Sequence, residues 1–205
     1  MNHRNAVLGG LVLLTTFALG ACVPDAPPAP TADPIVDQQS VVSPLNAYIF
    51  TGTGTNSVGG GANLITGQVF TAGITGSMTK LSLSFQQDSS VPNPAATLDI
   101  KVEAAASNGL PTGPVLATAT YSGTGSISRA LIDLSLSAPV AVVAGQRYAI
   151  LLSSTTNVWQ VNQTAIVSGA GTYPGGDVFV VNQTFPSGAS IPYSDLYFRT
   201  WVVPA

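Results

Sequence analysis

The stretch Thr97-Leu98-Asp99-Ile100-Lys101-Val102-Glu103-Ala104 alternates without a break. Leu98, Ile100, Val102 and Ala104 fall on one side at period two, and Asp99, Lys101 and Glu103 on the other. Successive side chains of a strand point to opposite faces, so the pattern predicts a strand with one buried and one wet face. The same alternation recurs outward in both directions. Leu81, Leu83 and Phe85 share a face in "KLSLSF", with Ser82 and Ser84 opposite. "ALIDLSL" groups Ala130, Ile132, Leu134 and Leu136, and "RYAILLS" aligns Tyr148, Ile150 and Leu152. In "DLYFRTWVV", Leu196, Phe198, Thr200 and Val202 oppose Asp195, Tyr197, Arg199 and Trp201.

Between these segments lie "TGTGTNSVGGG", "DSSVPNP", "SNGLPTGP", "SGTGS", "VAGQ", "SGAGTYPGG" and "FPSGAS". Glycine supplies positive φ and proline ends ladders, so each reads as a turn. No segment of helical length keeps a 3.6-residue period. The expectation is an all-β fold, an antiparallel β-sandwich (jelly roll) of about nine or ten short strands.

The N-terminus has a different character. One arginine, Arg4, and one histidine, His3, precede an almost wholly apolar run from Ala6 to Leu19. That describes a secretory signal, too short for a span and ending at Pro24 and Asp25. The only cysteine of the 205 residues, Cys22, follows at once. Leu19-Gly20-Ala21-Cys22 resembles the bacterial lipobox. The resemblance implies cleavage before Cys22, a diacylglyceryl thioether on its sulfur and usually an acylated amine. Two or more acyl chains anchor firmly where one does so only marginally. Val23, not aspartate, follows the cysteine, which resembles lipoproteins sent on to the outer membrane.

Residues 23–44 contain six prolines and little bulky apolar side chain, so they read as a semi-extended spacer. An ordered strand is the alternative for the Ile35–Val42 end. The expected organisation is a lipoprotein signal over 1–21, a lipidated Cys22 with a Pro-rich linker over 22–44, and one β-sandwich domain over 45–205.

Composition narrows function by exclusion. Loss of Arg4 with the signal leaves five of the six basic residues against nine acidic ones, and His3, the only histidine, goes too. Charged residues make up 7% of the chain, against about 25% in ordinary globular proteins. Without a basic patch, nucleic acid is not an expected partner. Without histidine or a free thiol, the usual serine and cysteine triads are out. Zinc would lack its nitrogen and sulfur ligands. Asp99 and Glu103 share an outward face, but four residues along a strand span roughly 13 Å, too far for either glycosidase geometry. The chain is therefore not expected to be an enzyme.

Several pieces keep a familiar order: "GQVFTAG", "MTKLSLSF", "LDIKVEAAASNGLPTGPVLATA", "SLSAPVAVVAGQRYAILLSS", "YPGG" and "DLYFRTWV". The series, covering about residues 65 to 203, resembles bacterial surface domains of the choice-of-anchor type, which look like galactose-binding jelly rolls. Its most specific parts are Asn108-Gly109-Leu110-Pro111 with Gly113, Ala144-Gly145 with Tyr148, and Asp195 with Phe198 and Thr200. The resemblance implies the fold, an extracellular setting and, by analogy, carbohydrate binding. Family members tend to carry a tryptophan soon after Tyr-x-Gly-Gly, where this chain has Phe185.

Sugar binding needs exposed aromatic faces beside amides or carboxylates. Trp159, Tyr173, Tyr193, Tyr197 and Trp201 are the candidate rings; the alternative is that Trp159 and Trp201 complete packing. Val-Asn-Gln-Thr occurs at 161–164 and again at 181–184. Asn162 and Asn182 would there contribute to an amide patch for sugar hydroxyls, or lie on polar faces of two hairpin strands. For a structural calcium, the one cofactor considered, Asp88, Asp177 and Asp195 are the candidate ligands, with turn-capping as the alternative. The reading is a lipid-anchored module of the cell envelope, at the outer membrane or cell surface. Its partners would be the membrane, through the lipid anchor, and a glycan or an envelope protein. The first function class is carbohydrate binding or adhesion; the alternative is an accessory subunit of an envelope assembly without sugar binding.

Overall fold

A computed structural model describes residues 33–40, 55–59, 64–88, 93, 95–125, 130–156, 158–163, 173–192 and 194–205. They contain no helix and thirteen strands. These are β1 (Ile35–Ser40), β2 (Thr55–Val58), β3 (Ile65–Thr71), β4 (Gly76–Leu83), β5 (Phe85–Gln87), β6 (Thr97–Ala105) and β7 (Pro111–Ser122). After them come β8 (Ile132–Val142), β9 (Arg147–Ser153), β10 (Trp159–Asn162), β11 (Val178–Val181), β12 (Ala189–Ile191) and β13 (Phe198–Pro204). The count exceeds the expected nine or ten because five strands, β2, β5, β10, β11 and β12, run only three or four residues. So short a strand offers too few positions for alternation to register.

All pairings are antiparallel. One sheet runs β1-β13-β4-β8 and a second β12-β11-β3-β9-β6-β7, with a small ribbon β2-β10-β5 beside them. Take only β1, β3, β4, β6, β7, β8, β9 and β13 and number them in chain order. The sheets then read 1-8-3-6 and 2-7-4-5, the double Greek key of a jelly roll. β1 supplies the first of the eight and pairs Ile35 with Val202, so the sandwich reaches back into the stretch read as spacer. The signal segment and Cys22 lie outside the described residues.

Between the sheets the alternating residues meet as expected. Leu81, Leu98, Ile100, Val102, Ile150 and Phe198 are fully buried. Each such side chain contributes about 1.5–3 kcal/mol of burial. Phe70 stacks on Tyr148 at 5.7 Å between centroids and tilts against Phe198 at 6.3 Å. The turns behave as their composition requires. Asn108 Oδ1 accepts from the Leu110 N–H at 3.1 Å, and Gly109 sits at φ 78° between β6 and β7. Between β8 and β9, Tyr148 Oη accepts from the Val143 N–H at 3.0 Å and fixes the turn through Gly145.

Alternation failed where a further layer covers the outer face. Ser82 and Ser84, expected to be wet, are buried. Ser82 lies under Trp201, and Ser84 accepts from Asn162 Nδ2 at 2.9 Å where β4 hands over to the ribbon. Likewise Ala149 and Leu151 of β9 are buried with Val69 and Phe179 in a satellite cluster outside the second sheet. Leu110, Val181 and Ile65 cover that cluster.

Candidate functional site

The candidate sugar contacts separate sharply. Trp159 is completely buried, edge-on to Phe85 at 5.7 Å and to Tyr121 at 5.9 Å. It has no surface to offer a ligand. Tyr173 is buried too; its hydroxyl accepts from the Thr71 N–H at 3.0 Å and packs edge-on to Phe198. Burial pushes the Tyr173 hydroxyl up to about 12, against the hydrogen bond with Thr71, which pulls the other way. Tyr197 is buried as well, and Tyr193 lies outside the described residues. Of the candidate rings described, only Trp201 is not buried; it is part-exposed.

The repeated Val-Asn-Gln-Thr is neither a hairpin nor an amide patch. β10 pairs with β2 and β5, whereas β11 pairs with β3 and β12. Asn162 is buried at the sheet–ribbon crossing, with its carbonyl accepting from the Tyr197 N–H at 3.1 Å. Asn182 instead opens the turn after β11, its Oδ1 accepting from the N–H groups of Thr184 and Phe185 at 2.8 and 2.9 Å. Identical tetrapeptides thus do different work, because neighbours and not the four residues decide.

The three aspartates considered for calcium do not assemble. Asp88 accepts from Gln160 Nε2 at 3.3 Å, and Asp177 from Ser190 Oγ at 3.4 Å. Asp195 is buried and accepts from Gln68 Nε2 and from the Tyr173 N–H. Among the described residues no three or more His, Cys, Asp or Glu side chains gather as metal ligands.

What does assemble is a polar cluster on the outer face of the first sheet. Register places Arg199, Ser82 and Asp133 in one row across β13, β4 and β8, and Trp201, Lys80 and Ser135 in the next. Trp201 Nε1 donates to Ser82 Oγ at 2.6 Å, and Ser82 Oγ donates to Asp133 Oδ1 at 2.5 Å. Lys80 Nζ bonds Asp133 Oδ2 at 2.9 Å while standing 3.9 Å from the centre of the Trp201 ring. The indole therefore leans diagonally from its own row onto Ser82, held by a hydrogen bond at its edge and a cation over its π face. Hydrogen bonds from Ser82 and Lys80 hold the Asp133 carboxyl below its usual range.

Beside this knot stands Arg199. Its Nε is buried and has no hydrogen-bond partner among the described residues. Of the four cations in the described residues, Lys80, Lys101, Arg147 and Arg199, two lie on this face. Reading the sequence for aromatic rings found Trp201 but missed Lys80, Asp133 and Arg199. The available signal was scarcity, since in a chain with 7% charged residues each outward cation carries information.

A second, shallower feature lies on the outer face of the other sheet, a depression of about 260 Å³. Asp99, Lys101, Thr118, Thr120 and Ser153 line it, and Asp99 Oδ1 accepts from Thr120 Oγ1 at 3.2 Å. Glu103 follows on the same strand; desolvation raises its carboxyl above the usual value, against the pull of Lys101.

No protein-family model matches the chain, and no curated protein matches it.

Proposed function

We propose that this protein is a lipid-tethered, non-enzymatic binding module of the cell envelope that holds a glycan against the Trp201 face of its first sheet. The lipobox-like Leu19-Gly20-Ala21-Cys22 supports the tether, at the outer membrane or cell surface. The observation that carries the binding half is the accessible Trp201 ring set among fixed charged and hydroxyl groups. Such a ring offers an apolar face to a sugar, and Lys80, Asp133 and Arg199 offer donors and acceptors to its hydroxyls.

The test uses the full lipidated chain in detergent against a glycan array and against cell-wall polysaccharide. Binding abolished by Trp201→Ala, with an unchanged β-sheet circular-dichroism spectrum, supports the proposal. Binding unaffected by that change removes the site. Mass spectrometry of the mature N-terminus should show a diacylglyceryl thioether on Cys22, and an unmodified thiol would remove the tether.

A second reading has its own observation. Val115 and Leu116 of β7 are exposed apolar residues on a strand that ends its sheet. An accessory subunit would bury them against an envelope protein. A stoichiometric partner recovered from detergent extract, lost in Leu116→Ser and with no glycan hit, would favour that reading.

A further inference from the structure

We infer that the Trp201 face selects an acidic saccharide, its ring against the indole and its carboxylate on the Arg199 guanidinium. The inference rests on the glycan-binding reading and adds the class of sugar.

The first support is the state of Arg199. A guanidinium carries five N–H donors in a planar fork that fits a carboxylate through two parallel bonds. Here the buried Nε has no hydrogen-bond partner among the described residues. Asp133, the nearby carboxylate, is already engaged by Ser82 and Lys80. Arg199 is thus the cation on this face that leaves a donor, its Nε, unmatched among the described residues.

Spacing is the second support. Arg199 and Trp201 are two residues apart on one strand and share a face, which sets their Cα atoms about 6.6 Å apart. That is close to the breadth of one pyranose ring, so a single sugar can rest on the indole while its carboxylate reaches the guanidinium. Planar stacking and a fork contact together fix both position and orientation.

Charge is the third. Two cations against one carboxylate, Lys80 and Arg199 against Asp133, leave this face at 2 − 1 = +1, although the whole chain carries −3. The depression on the opposite sheet carries Asp99 against Lys101, or 1 − 1 = 0. An anionic sugar is therefore favoured on the first sheet over the neutral depression of the other.

The experiment is calorimetric titration of the full lipidated chain in detergent with uronate oligosaccharides, namely galacturonate, glucuronate and mannuronate tetramers. Each is paired with its methyl ester, which keeps the shape and removes the charge. Expected is at least tenfold tighter binding of one acid than of its ester, weakening as salt rises. Arg199→Gln should bring the acid down to the level of the ester and leave the ester unchanged. Arg199→Lys should restore part of the difference, because it keeps the charge and loses the fork. Equal binding of acid and ester, or a difference that survives Arg199→Gln in a folded protein, overturns the inference. Binding confined to neutral glycans of the array also overturns it while sparing the proposed function. Binding to no glycan at all removes both.

Discussion

Gln68 and Asp195, 127 residues apart in the chain, meet in the buried interior, Gln68 Nε2 donating to Asp195 Oδ1 at 3.3 Å. Gln68 Oε1 in turn accepts from the Leu196 N–H at 2.8 Å, and Asp195 Oδ2 accepts from the Tyr173 N–H at 3.1 Å. One amide and one carboxylate thereby join β3, the segment before β11 and the approach to β13. Polar groups this far from water must be matched, and these match one another.

Asp195→Ala should therefore destabilise the fold by about 2–3 kcal/mol, because it strands the Tyr173 N–H and removes one of the two acceptors of Gln68 Nε2, which keeps only its bond to Val69 O. For a chain of this size that is a fall in melting temperature of roughly 4–12 °C. Asp195→Asn, which keeps one acceptor, should cost less. Calorimetric melts of the two variants check the order. Chelator added to the wild type should leave the melt unchanged, since Asp88, Asp177 and Asp195 are each bonded within the protein and do not converge.

Trp159 fills the interior between Phe85 and Tyr121, so Trp159→Ala should cost about 3–5 kcal/mol in urea denaturation. Trp159→Phe should cost distinctly less. It keeps most of the ring and removes Nε1, which is buried without a hydrogen-bond partner among the described residues. The same variant leaves Trp201 as the single tryptophan, since the chain has two. Its fluorescence should be redder than that of the wild type, because the remaining indole is part-exposed, and should respond to a ligand at the proposed site. A blue, ligand-insensitive spectrum would contradict the exposure of Trp201.

Alkaline pH supplies a third measurement. The Tyr173 hydroxyl ionises near 10 in the unfolded chain and at about 12 in the folded one. The native state thus resists losing that proton. Its contribution to stability is complete below pH 10 and is lost as pH rises from 10 through about 12. Wild-type stability should decline across that window, and Tyr173→Phe should decline less steeply while being less stable at neutral pH, having lost the acceptor for the Thr71 N–H. Parallel profiles for the two proteins would contradict the assignment.

The inner faces of the sandwich were legible because alternation reports directly which residues share a side. Leu98, Ile100 and Val102 are buried as their spacing requires. Alternation cannot say whether the other side is also covered. Ser82, Ser84, Ala149, Leu151 and Tyr197 occupy outward positions and are nonetheless buried, by Trp201, by the ribbon strand β10 or by the satellite cluster. For the same reason alternation does not separate aromatic residues that bind from those that pack. Trp159 and Tyr173 are aromatic like Trp201, and only long-range topology separates the two interior rings from the one at the surface. Arg199 and Lys80 were visible as outward cations on "DLYFRTWVV" and "MTKLSLSF", but nothing local announces that β13 and β4 are neighbours.

The Lys80–Asp133–Ser82–Trp201 cluster makes the last prediction, one that tests the site without a ligand. Asp133 ionises below its usual range because Ser82 Oγ and Lys80 Nζ both donate to it. A depressed native value means that this stabilisation is present above the ordinary carboxylate range and is lost as pH falls through the native value. Because Asp133 is more than half exposed, solvent screening keeps the effect on global stability small, and the titration itself is the quantity to follow. Ser82→Ala should raise the Asp133 titration, read from its side-chain carboxyl carbon by NMR, towards the ordinary value. Lys80→Gln should raise it too. The distinguishing signal is the Trp201 indole proton. In the wild type its resonance should shift as Asp133 titrates, because Ser82 accepts from the indole and donates to the carboxylate. Ser82→Ala should abolish that shift, whereas Lys80→Gln should preserve it. An indole resonance indifferent to pH in the wild type would mean that Ser82 does not link the two residues, and that the Trp201 ring is not held in the orientation on which binding at this face depends.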